Sequence, residues 1–186
     1  RGYKLFQIVE LNANGYTIKL SNLDHSDFVE LTIPLDDRYN NVFISVDKPQ
    51  ELVKVEPQKT EWDFYFTKYM ERLYDGADTL DYSVVGCLLN PLGTSAYLDP
   101  VSQADSTVKY SDLEIEDYNA SLLTEKQDVI GHEWKYFDLD EGAYVMASRM
   151  NFFIKDQDEY VYRFHFTGFY DDQGLKGGIS FEFLPL

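Results

Sequence analysis

The sequence has one cysteine, three histidines and only 16 basic side chains against 33 acidic ones. Cys87 has no partner for an intrachain disulfide. Set in Val84-Val85-Gly86-Cys87-Leu88-Leu89, it reads as a buried free thiol. The shortage of basic residues leaves a formal charge of −17. Such a field repels phosphate backbones and anionic surfaces, which argues against nucleic acid as a partner. No run of ~20 apolar residues is present to span a bilayer as a helix. Catalytic signatures are missing too: there is no G-x-S-x-G, H-E-x-x-H, C-x-x-C or Walker loop, and the expectation is a non-enzymatic protein. His25, His132 and His165 lack metal-ligand spacing. Asp138-Leu139-Asp140-Glu141-Gly142 and Asp156-Gln157-Asp158 lack the full ligand spacing of a calcium loop and read as turns.

Aromatic residues are what the chain has in quantity: 15 Tyr, 13 Phe and 2 Trp in 186 residues. Aromatic and β-branched side chains suit a pleated, half-buried surface, so the expected class is all-β. The pattern along the chain agrees. Tyr3 to Leu11 and Tyr16 to Leu20 flank Asn12-Ala13-Asn14-Gly15, a hairpin signal. Strand-like runs follow at 28–33, 41–46 and 52–55. In Glu61-Trp62-Asp63-Phe64-Tyr65-Phe66-Thr67-Lys68-Tyr69, alternate residues place Trp62, Phe64 and Phe66 on one face of a strand. Further strands are expected at 82–89, 134–137, 143–146, 151–154, 160–166 and 179–183, with a tight glycine turn at 174–178. Between Ser95 and Gly131 the pattern fades into a long polar connection, with a short helix across Leu113 to Leu122. A connection of that length inside a compact domain is usually functional or mobile. The expected architecture is therefore antiparallel sheets and hairpins, a long irregular loop and at most short helices. It forms a single domain over residues 1–186, with 1–38 a hairpin added to a core of 39–186.

The order of blocks resembles a known family. Glu61 to Tyr69 is similar to the W-D-x-x-F-T-x-Y strand of the HmuY-like haem-binding lipoproteins of Bacteroidetes-type bacteria. Tyr39 to Val46 with Glu51-Leu52-Val53 resembles that family's lead-in, and Val85 to Asn90 its G-x-L-x-N turn. Tyr160 to Phe166, Phe169-Tyr170, Gly174 to Gly178 and Ile179 to Phe183 resemble its tail. The resemblance implies an all-β fold, export, and an N-terminal lipid anchor on the outer membrane, at the cell surface or periplasmic face. It also implies haem capture for an outer-membrane receptor. Family members hold the iron with His or Met, one from the loop after the G-x-L-x-N turn and one from the hairpin after Trp134. Here residues 91–110 contain neither; Tyr97 and Tyr110 are the side chains there able to reach a metal. The hairpin 135–145 also contains neither, with His132 just before it, Met146 just after it, and Tyr136 and Tyr144 within it. Imidazole, thioether and phenolate all serve as haem ligands. Met146 and His132 are accordingly the candidate axial ligands, and Tyr97, Tyr110, Tyr136 and Tyr144 the candidate ligand-binding residues. The alternative is an exported binding or adhesion module of the same fold that has lost haem ligation.

Overall fold

The structure, a computed structural model, describes residues 2–76 and 78–186. Its regular secondary structure is mostly antiparallel β-sheet, as the aromatic alternation predicts. Contacts group it into two compact units, Arg1–Trp62 and Asp63–Leu186. Residues 39–62 thus group with the N-terminal hairpin.

In the first unit, β1 (Lys4–Asn12), β2 (Gly15–Asn22) and β3 (Val29–Ile33) form a meander in the order β1-β2-β3. The hairpin closes with Asn12 opposite Gly15, so its turn residues are Ala13 and Asn14. A small core of Ile18, Leu20 and Ile33 lies on one face of this sheet. The runs expected at 41–46 and 52–55 pair over only two residues each, β4 (Phe43–Ile44) with β5 (Leu52–Val53).

The second unit is framed by a long hairpin, β6 (Phe64–Asp75) with β7 (Asp78–Leu89), paired without a register shift. Beside it stands a four-stranded sheet in the order β13-β12-β11-β8: β8 (Ser95–Leu98), β11 (Asn151–Lys155), β12 (Val161–Tyr170) and β13 (Lys176–Pro185). A second hairpin pairs β9 (Lys135–Asp138) with β10 (Ala143–Met146). The aromatic faces expected of β6 and β12 meet here. Phe64 lies edge-on to Phe164 at 5.4 Å, Phe66 to Phe166 at 6.2 Å, and Trp134 stacks on Phe166 at 3.8 Å. Trp134 is fully buried, and its indole N–H donates to the Gly131 carbonyl at 3.1 Å. That bond satisfies the single polar atom that burial of the ring would otherwise strand.

The polar connection after Asn90 differs from expectation. Its first residues are β8, a buried strand of the sheet, and the helix across 113–122 is absent. A short α1 (Pro100–Ala104) is capped by the buried Asp99 carboxylate, which accepts from the Val101 and Ser102 N–H groups. Three 3-10 turns follow, at Tyr110–Asp112, Ile115–Asp117 and Ala120–Leu122. Residues 124–131 then form a strap. Thr124 and Ala96 exchange backbone hydrogen bonds, as do Gly131 and Cys87, and Leu89 N–H donates to the Gln127 carbonyl. The strap therefore ties β8 to β7. Its close approach explains Gly86: a Cβ there would stand 2.6 Å from the Gly131 carbonyl oxygen and 2.8 Å from the Tyr69 ring. The 174–178 turn is also displaced. Asp171 closes it, accepting from the Gln173 and Leu175 N–H groups, and β13 has already begun at Lys176.

Candidate functional site

The strap ends at Gly131, whose φ of +62° turns the chain so that His132 emerges while Trp134 enters the core. His132 is half-buried and borders two clefts that also share Leu73 of β6.

The larger cleft, about 480 Å³, lies between the outer part of β6 and the strap. Tyr69, Leu73, Leu98, Ile130, His132 and Met150 line it, with Glu71, Asp128 and Glu133 among its polar residues. Its size falls in the range of about 300–1,000 Å³ common for small-molecule sites. The Tyr69 hydroxyl sits 3.5 Å from His132 Nδ1, the rings edge-to-face at 6.4 Å. Burial, with the Glu71 and Asp128 charges adding to it, pushes the Tyr69 phenol up to about 12, so it stays protonated at neutral pH. Met150 follows the β9–β10 hairpin, and its sulfur accepts from Gln103 Nε2 at 3.7 Å. The chain reaches that position because Gln103 and Ser102 of α1 both donate to the Arg149 carbonyl.

The second cleft, about 290 Å³, lies between β7 and the β9–β10 hairpin. Phe137, Tyr144, Phe169, Leu73 and Tyr82 give it apolar walls, and Lys135 is its buried charge. The Lys135 ammonium donates to the Val85 carbonyl at 2.5 Å and lies 4.0 Å from the Trp134 ring centre and 4.8 Å from that of Phe169. Burial lowers its pKa from 10.5 to about 8.

The residues singled out in the sequence scatter across this unit. His132 borders both clefts, Tyr144 lines the second, and Met146 packs against the core and lines neither. Tyr136 is an exposed residue of β9, outside both clefts. Tyr97 is not on a loop: it is buried in β8, its ring stacked on Phe153 at 5.1 Å and its hydroxyl accepting the Asn119 N–H at 2.8 Å. Tyr110 stacks on His165 at 3.9 Å and donates to the Arg163 carbonyl at 3.3 Å. Both tyrosines thus hold the 3-10 turns to the sheet. Met150, which by residue type reads with Met70 and Met146 as a core or edge filler rather than a ligand, lines the larger cleft, and Lys135 is the buried cation of the second. Among the described residues, no group of three or more His, Cys, Asp or Glu is placed to hold a metal ion by itself.

A scan against protein-family models gave no match, and neither did a search of curated proteins. Among solved structures, the crystal structure of the apo HmuY analog (TFO) of Tannerella forsythia is similar over 99% of this chain and 97% of that one, at 14% identity. The TM-score is 0.31, and at that value the likeness supports no statement about site or ligand.

Proposed function

We propose that the Asp63–Leu186 unit binds haem in the larger cleft, with His132 and Met150 as the side chains offered to the iron, and that the protein captures haem at the surface of the cell. The observation carrying this reading is that an imidazole and a thioether line one cleft of about 480 Å³. Those are the two side chains of a Met/His haem site. The Tyr69 hydroxyl beside Nδ1 leaves Nε2 as the nitrogen to meet a metal, the arrangement by which a second group fixes a ligating histidine. Leu73 and Leu98 supply apolar surface for a porphyrin face, with Ile130 buried behind them. Tyr69 in this reading orients His132 through that contact and is not offered to the iron. When bound, the iron would supply only coordination; no reaction is assigned and the protein is read as a carrier rather than an enzyme.

The block order of residues 39–186 adds export, a lipid anchor and handover to an outer-membrane receptor to the same proposal. No described helix is long and apolar enough to cross a membrane. Glu71, Asp128 and Glu133 on the same cleft favour a second reading, an exported binding or adhesion module that does not ligate iron. Titration with haemin separates the two. The first predicts a saturable one-to-one Soret shift in the oxidised and reduced states, and an unchanged spectrum at micromolar haemin would refute it.

A further inference from the structure

The second cleft is anomalous in a chain of formal charge −17: none of the residues lining it is acidic. Its buried cation, Lys135, is held by one backbone carbonyl and two aromatic faces. A second lysine stands at the same walls, with Lys176 Nζ 5.5 Å from the Phe137 ring centre and 5.2 Å from that of Tyr144. Neither ammonium takes part in any ion pair among the described residues. A buried ammonium without a counter-charge is costly, and an incoming carboxylate removes that cost while its apolar body covers the aromatic walls. Of the three donors that an ammonium carries, the Val85 carbonyl uses one.

We propose that this cleft recognises a carboxylate on a ligand with an apolar body, Lys135 donating to the carboxylate and Lys176 adding charge at the rim. Two sources share that chemistry: a free monocarboxylic acid, or the acid side chains of a tetrapyrrole reaching over from the neighbouring cleft. Only the second source rests on the haem reading, through the shared His132 and Leu73.

The test pairs each acid with its neutral ester on the full chain: octanoate with methyl octanoate, and haemin with haemin dimethyl ester. The acid of at least one pair is expected to bind about tenfold tighter than its ester, as a charge-assisted hydrogen bond provides. That preference should vanish in Lys135→Met and shrink several-fold in Lys176→Gln, a surface change that leaves folding intact. Preference for haemin alone identifies the tetrapyrrole source. Preference for octanoate, with no haemin bound, upholds this site and overturns the haem reading. Equal affinity for acid and ester in both pairs overturns the proposal, whatever the variants do. So does a preference that survives Lys135→Met.

Discussion

The burial of Lys135 makes a prediction with a definite sign and size. Its ammonium has a pKa near 8 in the folded chain against 10.5 ordinarily, because burial disfavours the charged form. Between those two values the unfolded chain binds more protons than the folded one, so stability rises with pH across that window. Stated the other way, stability present above 10.5 is lost as the pH falls through 8. At about 1.4 kcal/mol per pH unit, the change amounts to roughly 3 kcal/mol. Lys135→Met keeps the alkyl packing and removes the titration. The assay is urea unfolding of both proteins from pH 7 to 10.5 in a Trp62→Phe background, so that buried Trp134 reports alone. Cys87 and Tyr69, whose burial raises their pKa values, make stability fall at high pH. Both are present in each protein and cancel in the difference. The wild type should gain about 3 kcal/mol on the variant between pH 7 and 10.5, starting as the less stable or equal partner. A difference that stays flat with pH would refute the reasoning, since it would mean that the ammonium is solvated or paired.

Three further outcomes follow from the packing. Gly86→Ala should cost about 1–3 kcal/mol in thermal or urea unfolding, because its new Cβ meets the Gly131 carbonyl oxygen and the Tyr69 ring; a neutral result would mean that the strap does not lie against β7. Cys87 is fully buried, its thiol pushed up by desolvation, so the native protein should resist a thiol reagent until it opens. Its labelling rate should follow urea concentration, and stoichiometric labelling within seconds in buffer would contradict that burial. Tyr97→Phe should cost about 1 kcal/mol through the lost Asn119 hydrogen bond, with no change in haemin affinity; a weakened haemin complex would return Tyr97 to the site.

The strands were legible wherever one face is aromatic and the other polar. In β12, buried Phe164 and Phe166 alternate with Arg163 and His165, and period two shows at once. β8 was not legible, because Ser95, Ala96 and Tyr97 are all buried and leave no alternation. The strap was equally hidden: it pairs through isolated bridges, Gly131 with Cys87 and Thr124 with Ala96, and Gly86 leaves the room for its close approach to β7. Of the site, His132 could be named by residue type and Tyr144 by its hairpin. Met150 could not, since its place in the cleft depends on how α1 holds the Arg149 carbonyl. Lys135 lies in the strand expected at 134–137 with nothing in the sequence to mark it, and only the aromatic rings around it reveal that it is buried.

His132 and Met150 both line the larger cleft, whereas Met146 packs against the core. The most direct test of that assignment is one set of haemin titrations on wild type, His132→Ala, Met150→Leu and Met146→Leu, with spectra of the reduced complexes. Weaker binding and an altered reduced spectrum in His132→Ala and Met150→Leu, with Met146→Leu like wild type, is the predicted result. A complex that loses its spectrum in Met146→Leu while Met150→Leu stays unchanged would contradict it.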